Sequence, residues 1–157
     1  MNLFVLNLLL AIGWCALFAD FTLLNLAIGF AMGFAALWVA NPLFGGTAYF
    51  GRVLRLISLG GYFLYELVVS SLQVVWDVIT PVHKSQPGII AVPLDVEDPA
   101  EIAVLANLIS LTPGTLSLDV SDDKKFLYVH GMFVEDPDIL RREIKAGMER
   151  KVMEAMR

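Results

Sequence analysis

Thr80-Pro81-Val82-His83-Lys84-Ser85-Gln86-Pro87-Gly88 separates two halves of this chain that are written for different solvents. Of 27 charged side chains only five, Asp20, Arg52, Arg55, Glu66 and Asp77, precede it, and the other 22 fall within or beyond it. The 157 residues are 57% hydrophobic and 17% charged, against roughly 45–50% apolar and 25% charged in soluble domains. The front half therefore suits lipid and the back half water. A net charge of −5 offers no excess of Lys and Arg for phosphate, so the composition argues against a nucleic-acid partner. The single cysteine, Cys15, lies in an apolar run and can build neither an intrachain disulfide nor a zinc cluster.

Working toward the N-terminus, residues 1–81 read as a membrane region of three apolar helices at about 2–19, 22–40 and 56–80. Met1 to Ala19 has no Lys or Arg and runs straight into a second apolar segment, so it reads as a retained helix and not as a cleaved signal. Asp20 breaks the first apolar run and Thr22 can cap the second helix. Asn41-Pro42 should end that helix, and Phe44 to Gly51, with Gly45-Gly46, suits a loop or interfacial segment.

Working toward the C-terminus, residues 82–88 read as a linker and 89–157 as a small soluble α+β domain of order β-α-β-β-α. Ile89 to Val96 is a strand whose Pro93 argues for an edge position or a bulge. Asp98-Pro99-Ala100-Glu101 is a helix start, with Asp98 as N-cap, Pro99 at the first helical position and Glu101 closing a capping box. Thr115 to Val120 and Phe126 to Phe133 alternate as two strands joined by the polar turn Ser121-Asp122-Asp123-Lys124. Asp136-Pro137 opens the last helix. Val96-Glu97-Asp98-Pro99 returns as Val134-Glu135-Asp136-Pro137, a recurrence read as a shared strand-to-helix turn, with an internal duplication as the alternative on only four matching positions. A small sheet with helices on one face is the expected architecture.

The third apolar segment carries the chemistry of the front half. Arg52, Arg55, Ser58, Tyr62, Glu66, Ser70, Gln73 and Asp77 step by 3, 3, 4, 4, 4, 3 and 4 residues and so share one helix face. Polar groups are expensive in hydrocarbon, so this stripe should face protein or water while Leu64, Leu67, Val68 and Val75 face lipid. Three readings of Glu66 stay open: glue between helices, a proton or cation relay, and a carboxylate solvated near the interface. In the second segment Gly29 and Gly33 form a GxxxG step preceded by Asn25, a pattern for close helix packing within this chain or against another subunit. An enzyme has little support. His83 and His130 lie 47 residues apart without metal spacing, no phosphate loop, nucleophile elbow or catalytic carboxylate pair is present, and no cofactor is called for.

Thr112-Pro113-Gly114-Thr115 suits a tight turn in which glycine takes positive φ. Read from Asn107 through Thr112-Pro113-Gly114-Thr115 to Ser121, and on through Leu127-Tyr128-Val129-His130 and Val134-Glu135-Asp136, the chain resembles the E subunits of Mrp-type (Mnh) monovalent cation/proton antiporters. The resemblance implies a small, multi-pass subunit of a hetero-oligomeric complex in a bacterial cytoplasmic membrane, with the other antiporter subunits and the lipid bilayer as partners. It also implies Na⁺ and H⁺ as the ions the complex exchanges. The large subunits of such complexes hold the main proton relays, so this chain would serve assembly or coupling. Three short helices with one polar face cannot themselves enclose an alternating-access path.

One expectation conflicts with another. If the third helix spans, Arg52 and Arg55 lie across the membrane from the soluble domain, and the positive-inside count places the arginines in the cytoplasm. The resemblance places the domain there instead, and it is followed. The leading reading is an accessory antiporter subunit whose helices dock on partner helices; the alternative is a membrane-anchored module that binds a protein or a ligand.

Overall fold

A computed structural model describes residues 2–44, 48–81 and 85–157. It forms two compact units, Met1–Val53 and Leu54–Arg157. The loop residues Gly45-Gly46 and the linker residues Val82, His83 and Lys84 lie outside the described residues.

The first unit is built on a helical hairpin. α1 (Leu3–Leu17) is capped by the Asn2 side chain, which accepts from the Phe4 amide, and α2 (Leu23–Val39) by Thr22, which accepts from the Asn25 amide. These caps satisfy amides that a helix start otherwise leaves unpaired. Of the three expected spanning helices, one among the described residues, α3 (Tyr49–Ile79), is clearly long and apolar enough to cross a membrane. α1 and α2 are shorter apolar helices of 15 and 17 residues, which rise about 22 and 26 Å beside a hydrocarbon core of roughly 30 Å. The chain stops each helix early: Ala19 at φ 51° turns the backbone after α1, and Asn41–Phe44 forms a 3-10 turn after α2. α3 in turn begins earlier than expected. Tyr49, Phe50 and Gly51 belong to its first turn and not to a loop, since Phe50 gains a buried site with Leu3 and Leu37 and edge-on stacking on Phe34 at 5.2 Å.

The hairpin is held by close backbone approach. A Cβ on Gly29 would lie 2.9 Å from Trp14 Cβ, and one on Gly33 would run into Asn7 Oδ1. Polar groups close the two ends of this contact. Trp14 Nε1 donates to Asn25 Oδ1 at 3.1 Å, Asn25 Nδ2 donates to the Asp20 carbonyl at 2.7 Å, and Asn7 Nδ2 donates to the Tyr49 hydroxyl at 2.8 Å.

The second unit contains the small sheet. β1 (Gly88–Pro93), α4 (Pro99–Leu111), β2 (Thr115–Val120) and β3 (Phe126–Gly131) are followed by a continuous helical stretch, α5 (Pro137–Ile144), a π-helical turn (Lys145–Glu149) and α6 (Arg150–Met156). The strands run antiparallel in the order β1-β3-β2. β1 is thus an edge, where Pro93 removes no ladder bond the sheet needs. Ile90 pairs with Val129 and Val92 with Leu127, and period-2 alternation sends all four inward. There they meet Ile102, Leu105 and Ile109 of α4 and Ile144, Met148 and Val152 of the C-terminal stretch. Each fully buried aliphatic contributes roughly 1.5–3 kcal/mol, which a domain this small needs.

Two acids depart from their expected roles. Glu101 does not close a capping box; its carboxylate is buried and accepts from Arg157 Nε and a terminal nitrogen, each at 3.1 Å. Glu149 is fully buried and accepts from the Asp95 amide at 2.6 Å and the Val96 amide at 3.2 Å. Lys145 completes this node, donating to the Pro93 carbonyl at 2.7 Å and pairing with Asp95 at 2.8 Å and Glu149 at 3.3 Å. Burial opposes the Lys145 charge, but its acidic partners outweigh it and hold the ammonium above the ordinary lysine range. The node ties the end of β1 to the π-helical turn.

Candidate functional site

From Leu54 onward α3 belongs to the same unit as the sheet, and its polar stripe from Ser58 to Asp77 is the side that looks toward the sheet domain. Leu59 enters the core, with Tyr62 and Phe63 packed against it. Lys151 of α6 donates to the Ser58 hydroxyl at 3.1 Å. The π-helical turn brings Gly147 beneath the Tyr62 hydroxyl, where any side chain would collide with it. A π turn widens the helix by one residue and so shifts which side chains face inward; here it leaves Met148 and Glu149 buried and the bare glycine against the ring.

Beyond this contact the two surfaces part to form a cleft of about 680 Å³. One wall carries Tyr62, Glu66, Ser70 and Gln73 of α3, and the other carries the turn Thr112-Pro113-Gly114-Thr115. The structure therefore joins two sets of residues that stand apart in the sequence. The turn is built as its composition dictates. Gly114 has φ +87°, a region open to glycine at no steric cost. The Thr112 hydroxyl donates to the Leu108 carbonyl at 2.9 Å, ending α4, and the Thr115 hydroxyl donates to the Ile109 carbonyl at 2.8 Å. The Gly114 carbonyl accepts from the Met132 amide at 2.7 Å.

Glu66 is half-buried on the same wall as Tyr62, one turn earlier. Glu135, Asp136 and Glu143 line the same cleft. The sequence marks Glu135 and Asp136 only as part of a helix start and does not mark Glu143, and nothing in their spacing announces that they line one cleft with Glu66. Acidic walls raise the local concentration of cations. Asp136 is already engaged in capping α5, accepting from the Asp138 amide at 2.8 Å.

The remaining residues that the sequence points to lie elsewhere. Asp77 is buried and borders a second hollow with Trp76, Phe133 and Glu135. Arg55 is half-buried in the second unit, Arg52 is exposed in the first, and Asn25, Gly29 and Gly33 belong to the hairpin. Among the described residues no cluster of His, Cys, Asp and Glu has the makings of a metal site.

Residues 7–155 match the sequence profile of the family described as Na⁺/H⁺ ion antiporter subunit. The chain belongs to the family of Na⁺/H⁺ antiporter E subunits. The E subunit of the Na(+)/H(+) antiporter of Alkalihalophilus pseudofirmus is 36% identical over 150 residues, covering 96% of this chain and 95% of that one. The E1 subunit of the Na(+)/H(+) antiporter of Staphylococcus haemolyticus is 33% identical over 150 residues, with 96% and 94% covered. Among solved structures, a chain of the Mrp complex from Dietzia sp. DQ12-45-1b matches with a TM-score of 0.50 and 30% identity, covering 66% of this chain and 97% of its own length. For a member of this E-type family, the cleft between the polar stripe and the Thr-Pro-Gly-Thr turn is the candidate functional site.

Proposed function

We propose that this chain is an accessory subunit of a multisubunit monovalent cation/proton antiporter in a bacterial cytoplasmic membrane, and that it supports assembly and coupling while the partner subunits carry the exchange path. The single observation that carries the reading is the family match over nearly the full length. The geometry supports the division of labour: the polar stripe is engaged by the chain's own sheet domain, so the helix is braced from one side. The sheet domain lies on the cytoplasmic side in this reading, and the relatives, being antiporter subunits, favour a transporter component over an enzyme.

The test is ion exchange in everted membrane vesicles from cells lacking this chain, followed as Na⁺-induced collapse of a preformed pH gradient. Exchange should be lost along with assembled complex, and re-expression of the chain should restore both. Full exchange by intact complexes that lack the chain would contradict the proposal.

A further inference from the structure

α3 is long and apolar enough to cross a membrane, yet its two faces are unlike those of a spanning helix. Ile57, Leu64, Val68, Leu72, Val75 and Ile79 form one apolar face, the least exposed of them, Val75, at 54%. The opposite face looks toward the sheet domain, touching it at Ser58, which Lys151 holds, and at Leu59 and Tyr62, and bordering with it the cleft at Glu66 and Ser70 and the hollow that Asp77 shares with Glu135. Ser58 and Asp77 are separated by about 28 Å of helix at about 1.5 Å per residue, nearly the whole thickness of a hydrocarbon core of about 30 Å.

An α3 set across the bilayer would therefore carry the domain's ionic surface, including Glu135, Glu143 and Lys151, along with it into hydrocarbon, where charges are strongly disfavoured. A boundary between water and hydrocarbon matches both faces at once. We propose that α3 lies in the plane of the bilayer, its apolar face seated at the headgroup–acyl boundary and its polar face roofed by the chain's own sheet domain.

Three further features select lipid as the occupant of the apolar face. That face carries no charged side chain, from Ile57 to Ile79. Tyr65 and Trp76, 63% and 64% exposed, stand at about 100° per residue along one border of the apolar arc, the level such rings favour. The chain also enters α3 from the apolar helices α1 and α2, whose composition is itself suited to lipid. The placement removes the topological conflict as well. Both ends of an in-plane α3 lie on one side of the membrane, so its arginines and the sheet domain share the cytoplasm.

The experiment places single spin labels at Ile57, Leu64, Val68, Leu72, Val75 and Ile79 of the full chain, in a Cys15→Ala background. The labelled complex is reconstituted in phosphatidylethanolamine–phosphatidylglycerol vesicles. Collisions with dissolved oxygen and with a water-soluble nickel chelate then report depth. All six labels should favour oxygen and lie at one similar depth, about 5–10 Å below the headgroups. A depth that rises to a maximum near Leu64–Val68 and falls toward both ends would overturn the proposal, and so would labels reached by neither reagent, which would put a partner helix on this face.

A second measurement needs no label on α3. Cysteine at Ala48 and cysteine at Ser121, in separate chains, should react with an impermeant thiol reagent from the same side of the membrane; reaction from opposite sides overturns the in-plane helix. Neither readout depends on ion exchange, so failure here is distinct from failure of the antiporter reading.

Discussion

Gly114 and Glu66 face the same cleft and test different properties of it. A Cβ on Gly114 would meet Phe133 Cε2 at 3.7 Å, an ordinary contact, so the cost of Gly114→Val comes from its φ of +87° and not from crowding. That strain is of order 1–3 kcal/mol. We predict fewer assembled complexes, each with near-normal exchange, as measured by complex yield and by exchange per complex. Lost exchange at normal yield would contradict this. For Glu66, the Gln variant keeps the shape and the capacity to hydrogen-bond, but it cannot ionise. The complex should assemble and exchange should fall without vanishing, as expected of a polar contact beside the ion route. Exchange abolished in a fully assembled complex would make Glu66 a direct carrier. Both residues are legible in the sequence, Gly114 from its turn and Glu66 from its isolation in an apolar run. Glu149 is not. One more acid on an exposed-looking C-terminal helix gives no sign that its carboxylate receives two amides from 53 and 54 residues away.

Elements are legible wherever local chemistry decides them. Asp98 and Asp136 both accept from the amide two residues on and are both followed by Pro at the first helical position, so the recurring Val-Glu-Asp-Pro is one turn solution used twice. The early start of α3 and the π-helical turn are not legible, because tertiary packing decides them: Phe50 is drawn into a buried cluster, and Gly147 lies under Tyr62. The α1–α2 hairpin depends on Gly33. Gly33→Ala sets a methyl against Asn7 Oδ1 and 3.1 Å from Leu10 Cβ, so we predict reduced chain abundance in membranes by immunoblot. Asn7→Ala in the same chain should recover part of it by vacating the space, even though the Tyr49 contact is lost. A double variant worse than the sum of the two singles would refute this geometry.

The β2–β3 turn makes a prediction about pH. The Ser121 hydroxyl, then the Lys125 amide, hydrogen-bond the Asp123 carboxylate and hold it below the ordinary aspartate range. A depressed carboxylate stabilises the fold above its ordinary value of about 3.9 and loses that contribution as pH falls through the lowered one. In thermal melts of the detergent-solubilised chain, wild type should exceed Asp123→Ala at pH 7, and the gap should close in acid. A gap that widens as pH falls would reverse the assignment.

At the scale of the whole molecule, the division into a lipid half and a water half is readable from where the charges fall. Which side of α3 the water half would cover is not, since a stripe of polar residues at helical spacing fits a partner helix and a sheet domain equally well. The compact unit that begins at Leu54 shows the stripe turned toward the chain's own domain, which leaves the apolar surfaces for lipid and for partner subunits. The central claim is that this chain works as one component of a larger antiporter. Purification from native membranes in mild detergent, without crosslinking and through a tag on this chain, tests it most directly. The account predicts that large multi-spanning antiporter subunits co-purify at a fixed stoichiometry, and a stable lone protein that responds to a ligand of its own would contradict it.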